Sequence, residues 1–131
     1  MPSPRTRTSR HSAADTYQMS GVTVVELHGD IDVLTAPVVR AHLHDVTAYT
    51  GCVLLVDLRP VTFFDCSGLA VLVDAHQRTA AVGGCLAVVC DNALILDLMS
   101  WTQTRTLIQP TATLDQALAW LHPSAPSLQA G

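Results

Sequence analysis

Asp57-Leu58-Arg59-Pro60-Val61-Thr62-Phe63-Phe64-Asp65-Cys66-Ser67-Gly68-Leu69 joins two apolar segments of different period. Before it, Cys52–Leu58 is almost continuously apolar, as a central strand covered on both faces should be; Asp57, at its C-terminal end, is the exception. After it, Leu69, Leu72, Val73 and Ala80 recur at helical spacing as an inward stripe, with Asp74 and Arg78 four residues apart on the outer side. The layout puts Ser67 at or near a helix start, where unpaired N–H groups and the positive end of the helix dipole lie. A hydroxyl there is either a helix cap or an acceptor for a phosphate. Local pattern leaves both readings open. In the Phe63-Phe64 pair, one ring is expected to pack inward and the other to stand exposed beside Ser67, where it suits a partner contact.

Outward from this stretch, the rest of the chain alternates between strand and helix patterns. Ala14–Met19 and Val22–His28 flank Ser20-Gly21 and read as a hairpin. Gly29-Asp30-Ile31-Asp32 reads as the loop after it, its two acidic side chains satisfying turn and helix-start amides or facing a partner. Thr35-Ala36-Pro37 opens a helix with Val39, Leu43 and Val46 inward and Arg40, His44, Asp45 and Thr47 on the other side. Gly83-Gly84 ends the Ser67 helix, and Leu86–Cys90 is a second buried strand. Asp91-Asn92 caps a helix through Met99 that uses Leu94, Ile95 and Leu98. Thr106–Ile108 reads as a short strand, and Thr113-x-x-Gln116 as a capping box before Leu114, Leu118 and Leu121. This order predicts an α/β fold with a mixed, mostly parallel sheet of four or five strands and about four helices. If the first parallel strand neighbours Cys52–Leu58, then Asp30, Asp32 and Ser67 share one sheet edge. Residues 1–13 and 123–131 are Pro/Ser-rich and aperiodic, so one domain over 14–122 is expected between two disordered tails.

Composition narrows the chemistry. Seven basic and eleven acidic residues give a charge of −4, which disfavours nucleic-acid and anionic-membrane partners. All seven basic residues are Arg, which excludes chemistry that requires Lys, such as a Walker P-loop or a pyridoxal Schiff base. The four cysteines, Cys52, Cys66, Cys85 and Cys90, form no C-x-x-C pair and read as reduced thiols of a cytoplasmic protein. No metal or cofactor is expected. No stretch of about 18 apolar residues suggests a membrane span. Arg5, Arg7 and Arg10 precede no apolar core, so no secretory signal is expected.

Enzyme readings fit poorly. Asp30-x-Asp32 after a strand resembles the nucleophile loop of haloacid-dehalogenase-type phosphatases, but Leu34 stands where those carry Thr or Val. Ser67 lacks the glycines of a G-x-S-x-G elbow. Cys66 as a nucleophile needs a histidine held against it, and the six histidines are scattered. No catalytic residue is therefore assigned.

Four segments, in this order and spacing, resemble the STAS domain of bacterial anti-sigma factor antagonists: Val24–Asp32 with Thr35-Ala36, Val53–Leu58, Phe64–Leu69 and Leu107–Leu118. The resemblance spans about residues 17–121. It implies the STAS fold and a non-enzymatic role in partner switching. The serine matching Ser67 is phosphorylated in that family by a cognate anti-sigma factor that is itself a serine kinase. The unphosphorylated domain binds the anti-sigma factor and frees a sigma factor, and a phosphoserine phosphatase restores the complex. The resemblance places Asp32 close to the acceptor and Asp30 and Asp65 beside it. With the motif around them, Asp30, Asp32, Thr35, Phe64, Asp65, Cys66, Gly68 and Leu69 are the expected partner-binding residues, in a monomer or weak homodimer. Cys66 stands where the family often has Ser, and Asp30 where Glu is commoner. The alternative is a STAS scaffold or ligand-binding module in another signalling or transport assembly.

Overall fold

A computed structural model describes residues 13–121. The expected tails lie outside these residues, apart from Ala13. Strand β1 (Ala14–Met19) pairs antiparallel with β2 (Val22–Leu27). Ser20 and Gly21, both with positive φ (54° and 78°), make the two-residue turn between them. Then come β3 (Gly29–Ile31), α1 (Ala36–Val46), β4 (Val53–Asp57), β5 (Val61–Phe64), α2 (Cys66–Ala81), β6 (Cys85–Val89), α3 (Ala93–Trp101), α4 (Arg105–Ile108) and α5 (Leu114–Leu121). The main sheet runs β1-β2-β4-β6, with β2, β4 and β6 parallel.

The period-two alternation of the strands divides the core between the two faces of this sheet. Val25, Leu27, Leu54, Val56, Leu58, Leu86 and Val88 form one layer with Val39 and Leu43 of α1, Leu72 of α2 and Met99 of α3. Val22, Val24, Leu55, Ala87 and Val89 turn to the other face and meet Ala117 and Leu121 of α5. Asp57, the acidic exception of the central strand, is 1% exposed. Arg59 grips it with Nε on Oδ1 at 3.0 Å and an Nη on Oδ2 at 2.9 Å, so the buried charge is paired and hydrogen-bonded.

Several local expectations are corrected. Gly29–Ile31 is not loop but strand: with β5 it forms a separate two-stranded parallel sheet, Ile31 opposite Phe64 and Asp30 opposite Phe63. Thr106–Ile108 is not strand but lies in the one-turn helix α4. The backbone N–H groups of Ile108 and Gln109 reach back to Thr104 and Arg105, and Gln109 then turns left-handed at φ 52°. The strand-like bridge beside β6 falls instead on Thr111, opposite Val89. Thr47 turns inward and is 2% exposed, its hydroxyl donating to the Leu43 carbonyl at 2.8 Å, because a threonine at a helix end satisfies itself on the preceding turn. Asp74 meets His44 and Arg40 of α1 rather than Arg78. In α3, Ile95 and Met99 carry the buried stripe while Leu94 faces solvent.

Candidate functional site

Parallel strands present their C-terminal ends together, so the loops after β2/β3 and β5 meet at one edge. The β3–β5 ladder fixes this meeting with backbone bonds, and the amide of Asp65 adds a longer one to the Ile31 carbonyl at 3.4 Å. Asp30 is exposed, and its Oδ1 accepts from the Thr62 hydroxyl at 2.8 Å, tying the two loops through side chains as well. Asp32 folds its own loop: Oδ1 accepts from the amides of Leu34 (2.9 Å) and Thr35 (3.1 Å), and the Thr35 hydroxyl takes the Asp32 amide at 2.9 Å. The same hydroxyl donates to the Asp30 carbonyl at 2.8 Å. Asp32 and Thr35 are thus committed to shaping the loop, and Asp30 to holding it against β5.

Helix α2 is capped by the residue two before Ser67. Its N-cap is Asp65, in extended conformation, with Oδ1 accepting from the Ser67 amide at 2.8 Å. Ser67 sits two residues inside the helix, and its hydroxyl makes no hydrogen bond among the described residues. It is half-buried and opens into a groove of about 480 Å³ between α1 and α2, shared with Val33, Pro37, Arg40, His44 and Ala70. The Ser67 hydroxyl is therefore neither sealed in the core nor used as a cap. It stands at the positive end of a sixteen-residue helix.

Of the other expected residues, Cys66 is exposed on the first helical turn and beside Ser67 in sequence. Gly68 and Leu69 are buried, so they set the helix rather than offer surface. A Cβ on Gly68 would stand 2.7 Å from Phe64 Cε1 and 3.0 Å from Ile31 Cγ2. That close approach requires glycine and fixes the α2 start against the small sheet. Phe64 is the ring that packs inward, and Phe63 is the exposed one, at 51%. Residue-by-residue reading missed Val33 (70% exposed) and Leu34 (82%), which with Phe63 and Val38 ring this edge in apolar surface. Their signal was present as an apolar pair inside a polar turn, between Asp32 and Thr35.

A second polar cluster lies on the hairpin, where Asp15, Glu26 and His28 bring potential ligand atoms within 4.8 Å of one another. His28 Nε2 lies 2.9 Å from Glu26 and 3.5 Å from Asp15, within reach of both buried carboxylates.

The STAS domain family model matches residues 13–117. The chain belongs to the STAS domain family. No curated protein matches it by sequence. Among solved structures, this STAS domain is similar to an anti-sigma factor antagonist from Mycobacterium paratuberculosis, at 27% identity and TM-score 0.76 over 83% of this chain and 92% of that one. The Bacillus cell fate determinant SpoIIAA in its phosphorylated form shares the fold at 17% identity and TM-score 0.62, over 82% of this chain and 98% of that one. So does a segment of the murine anion transporter Slc26a9, at 16% identity and TM-score 0.68, where 82% of this STAS domain aligns with only 19% of the transporter. The STAS fold therefore recurs in regulators and in a transporter, and function has to be argued from the site. No helix among the described residues of this STAS domain is long and apolar enough to cross a membrane.

Proposed function

We propose that the chain is an anti-sigma factor antagonist whose docking face is switched by phosphorylation of Ser67. One observation carries the reading: the Ser67 hydroxyl is accessible and unbonded among the described residues at a helix N-terminus whose capping is done by Asp65. Modification there removes no structural hydrogen bond. The similarity to the M. paratuberculosis antagonist supports the assignment of partner class.

In the unmodified state, Val33, Leu34 and Phe63 are the apolar contacts for the anti-sigma factor. Their exposed parts contribute about 1–2 kcal/mol each on burial. Asp30, Asp32, Thr35, Phe64, Asp65, Gly68 and Leu69 hold the loops and the helix start in the docking shape, and Cys66 lies on its surface. The anti-sigma factor acts as the kinase. Ser67 Oγ attacks the γ-phosphorus of ATP, the bond to the bridging oxygen of ADP breaks, and the hydroxyl proton leaves to a base of the kinase. The product carries about −1.5 to −2 of new charge beside the apolar contacts, and burying it against a partner is costly. The complex then dissociates, and a phosphoserine phosphatase reverses the change. The chain acts in the cytoplasm, as a monomer or weak homodimer, and does no catalysis of its own.

Incubation with a candidate anti-sigma kinase and ATP, read by mass spectrometry, tests the site. Phosphate should appear on the parent and not on Ser67→Ala; phosphate retained by the Ala variant refutes Ser67 as acceptor. Ser67→Asp should bind the kinase at least about tenfold more weakly, roughly 1.4 kcal/mol, with its melting temperature nearly unchanged.

A further inference from the structure

The groove that holds Ser67 also holds a cation. Four arginines lie within the described residues, and the sequence contains no lysine. Three of the four are hydrogen-bonded: Arg59 to Asp57, Arg78 to Thr47 (Nε to Oγ1, 3.4 Å) and Arg105 to Ser100 (3.1 Å). Among the described residues Arg40 makes only a long ion pair, 3.8 Å to Asp74. It is the guanidinium most easily redirected, and it lines the same groove as Ser67.

The helix register shows where it can go. His44 of α1 touches Asp74 of α2, and Thr47 touches Arg78, so the two helices run in the same direction in matched turns. One turn back, Arg40 stands level with Ala70. Ser67 then lies about 4.5 Å toward the N-terminus of α2 and Asp74 about 6 Å toward its C-terminus. A side chain long enough to reach Asp74 can reach Ser67 in the other direction, which is also the way helical Cα–Cβ bonds lean. Asp74 is not stranded by the move, because His44 Nε2 remains 2.8 Å from its Oδ2.

We infer that Arg40 is an internal phosphate clamp: when Ser67 is phosphorylated, its guanidinium leaves Asp74 and binds the phosphoryl oxygens across the α1–α2 groove. The dianion outbids a single shared carboxylate, and guanidinium and phosphate match as a two-pronged pair. The clamp rests on Ser67 being the modified residue. Its consequence is distinct, since it holds the phosphate against the groove and reads the modified state within the domain itself.

The test installs phosphoserine at position 67 during translation, by genetic-code expansion, and follows its second ionisation by phosphorus NMR. The charged and titratable groups around this position are Arg40 and His44 in the groove wall, the cap Asp65, Cys66 beside Ser67, Asp32 next to groove-lining Val33, and Asp74 two turns further along α2. The midpoint in the parent should lie at least about half a unit below that in Arg40→Gln, the shift expected for a half-exposed cation contact. Arg40→Lys, which keeps charge but not the fork, should fall between them and serves as the second variant if the Gln protein fails to fold. His44→Gln, whose side-chain amide can still donate to Asp74, should lie closer to the parent than to Arg40→Gln. Equal midpoints in the parent and Arg40→Gln overturn the clamp, as does a shift seen only in His44→Gln. A kinase that never modifies Ser67 would defeat the proposed function and leave this result standing, so the two failures are separable.

Discussion

Replacing Gly68 with alanine perturbs the point where α2 meets the small sheet. A Cβ there would lie 2.7 and 2.9 Å from the Phe64 ring and 3.0 Å from Ile31 Cγ2. Ordinary carbon contacts are about 3.5–4.0 Å, so the ring must retreat by close to 1 Å. Ile31 cannot give way, because it is fully buried. Overpacking of this kind costs about 1–3 kcal/mol, while alanine regains at most about 1 kcal/mol of helix propensity. The net expectation is a loss of about 0.5–2 kcal/mol, read as a lower urea midpoint with unchanged slope and a melting temperature several degrees lower. A double-mutant cycle isolates the cause. In a Phe64→Leu background the same Gly68→Ala change should cost little or stabilise, giving a coupling of about 1 kcal/mol or more. An Ala variant as stable as the parent in the native background would refute the claim that close packing demands glycine here.

Two further perturbations follow. Asp65→Ala should cost about 1 kcal/mol through loss of the cap on the Ser67 amide, whereas Asp65→Asn should cost only a few tenths; equal losses in urea titrations would show that the cap does not matter. His42, hydrogen-bonded to the Thr16 hydroxyl, has its pKa pushed below the usual histidine value by burial, against the opposing pull of Asp45 and Asp15. The unfolded chain therefore binds more protons, so stability is full above about pH 6.5 and falls as the pH drops through that value. His42→Gln should flatten this slope in denaturation curves between about pH 7 and 5, and an unaltered slope would exclude His42 as its source.

The long periodic elements were legible because their burial follows a short-range rule. Strands β2, β4 and β6 announce themselves as β-branched and leucine runs, and α2 by its spacing from Leu69 onward. Placing Ser67 near a helix start needed only the strand-turn-helix order. That Asp65 takes the cap and leaves the hydroxyl unbonded among the described residues was not decidable from pattern, since both residue types cap helices. Strand β3 escaped because three residues, with a register break between Gly29 and Asp30, carry no period. Its existence depends on a partner more than thirty residues away, Gly29 pairing with Val61 and Ile31 with Phe64. The strand expected at Thr106–Ile108 failed for the converse reason: β-branched residues suggested extension, but one turn of helix closed by Gln109 satisfied the backbone locally. The exposed pair Val33-Leu34 shows the same limit, since an apolar residue in a turn is equally compatible with core and with surface.

The small parallel sheet has a kinetic meaning. Because β3 and β5 are laced together, the two loops that flank Ser67 are one stiff platform rather than two independent fingers. A visitor does not have to freeze them on arrival, so little ordering entropy is charged to the encounter. Association should then be governed by diffusion and orientation, and differences among partners should surface as differences in how long they stay.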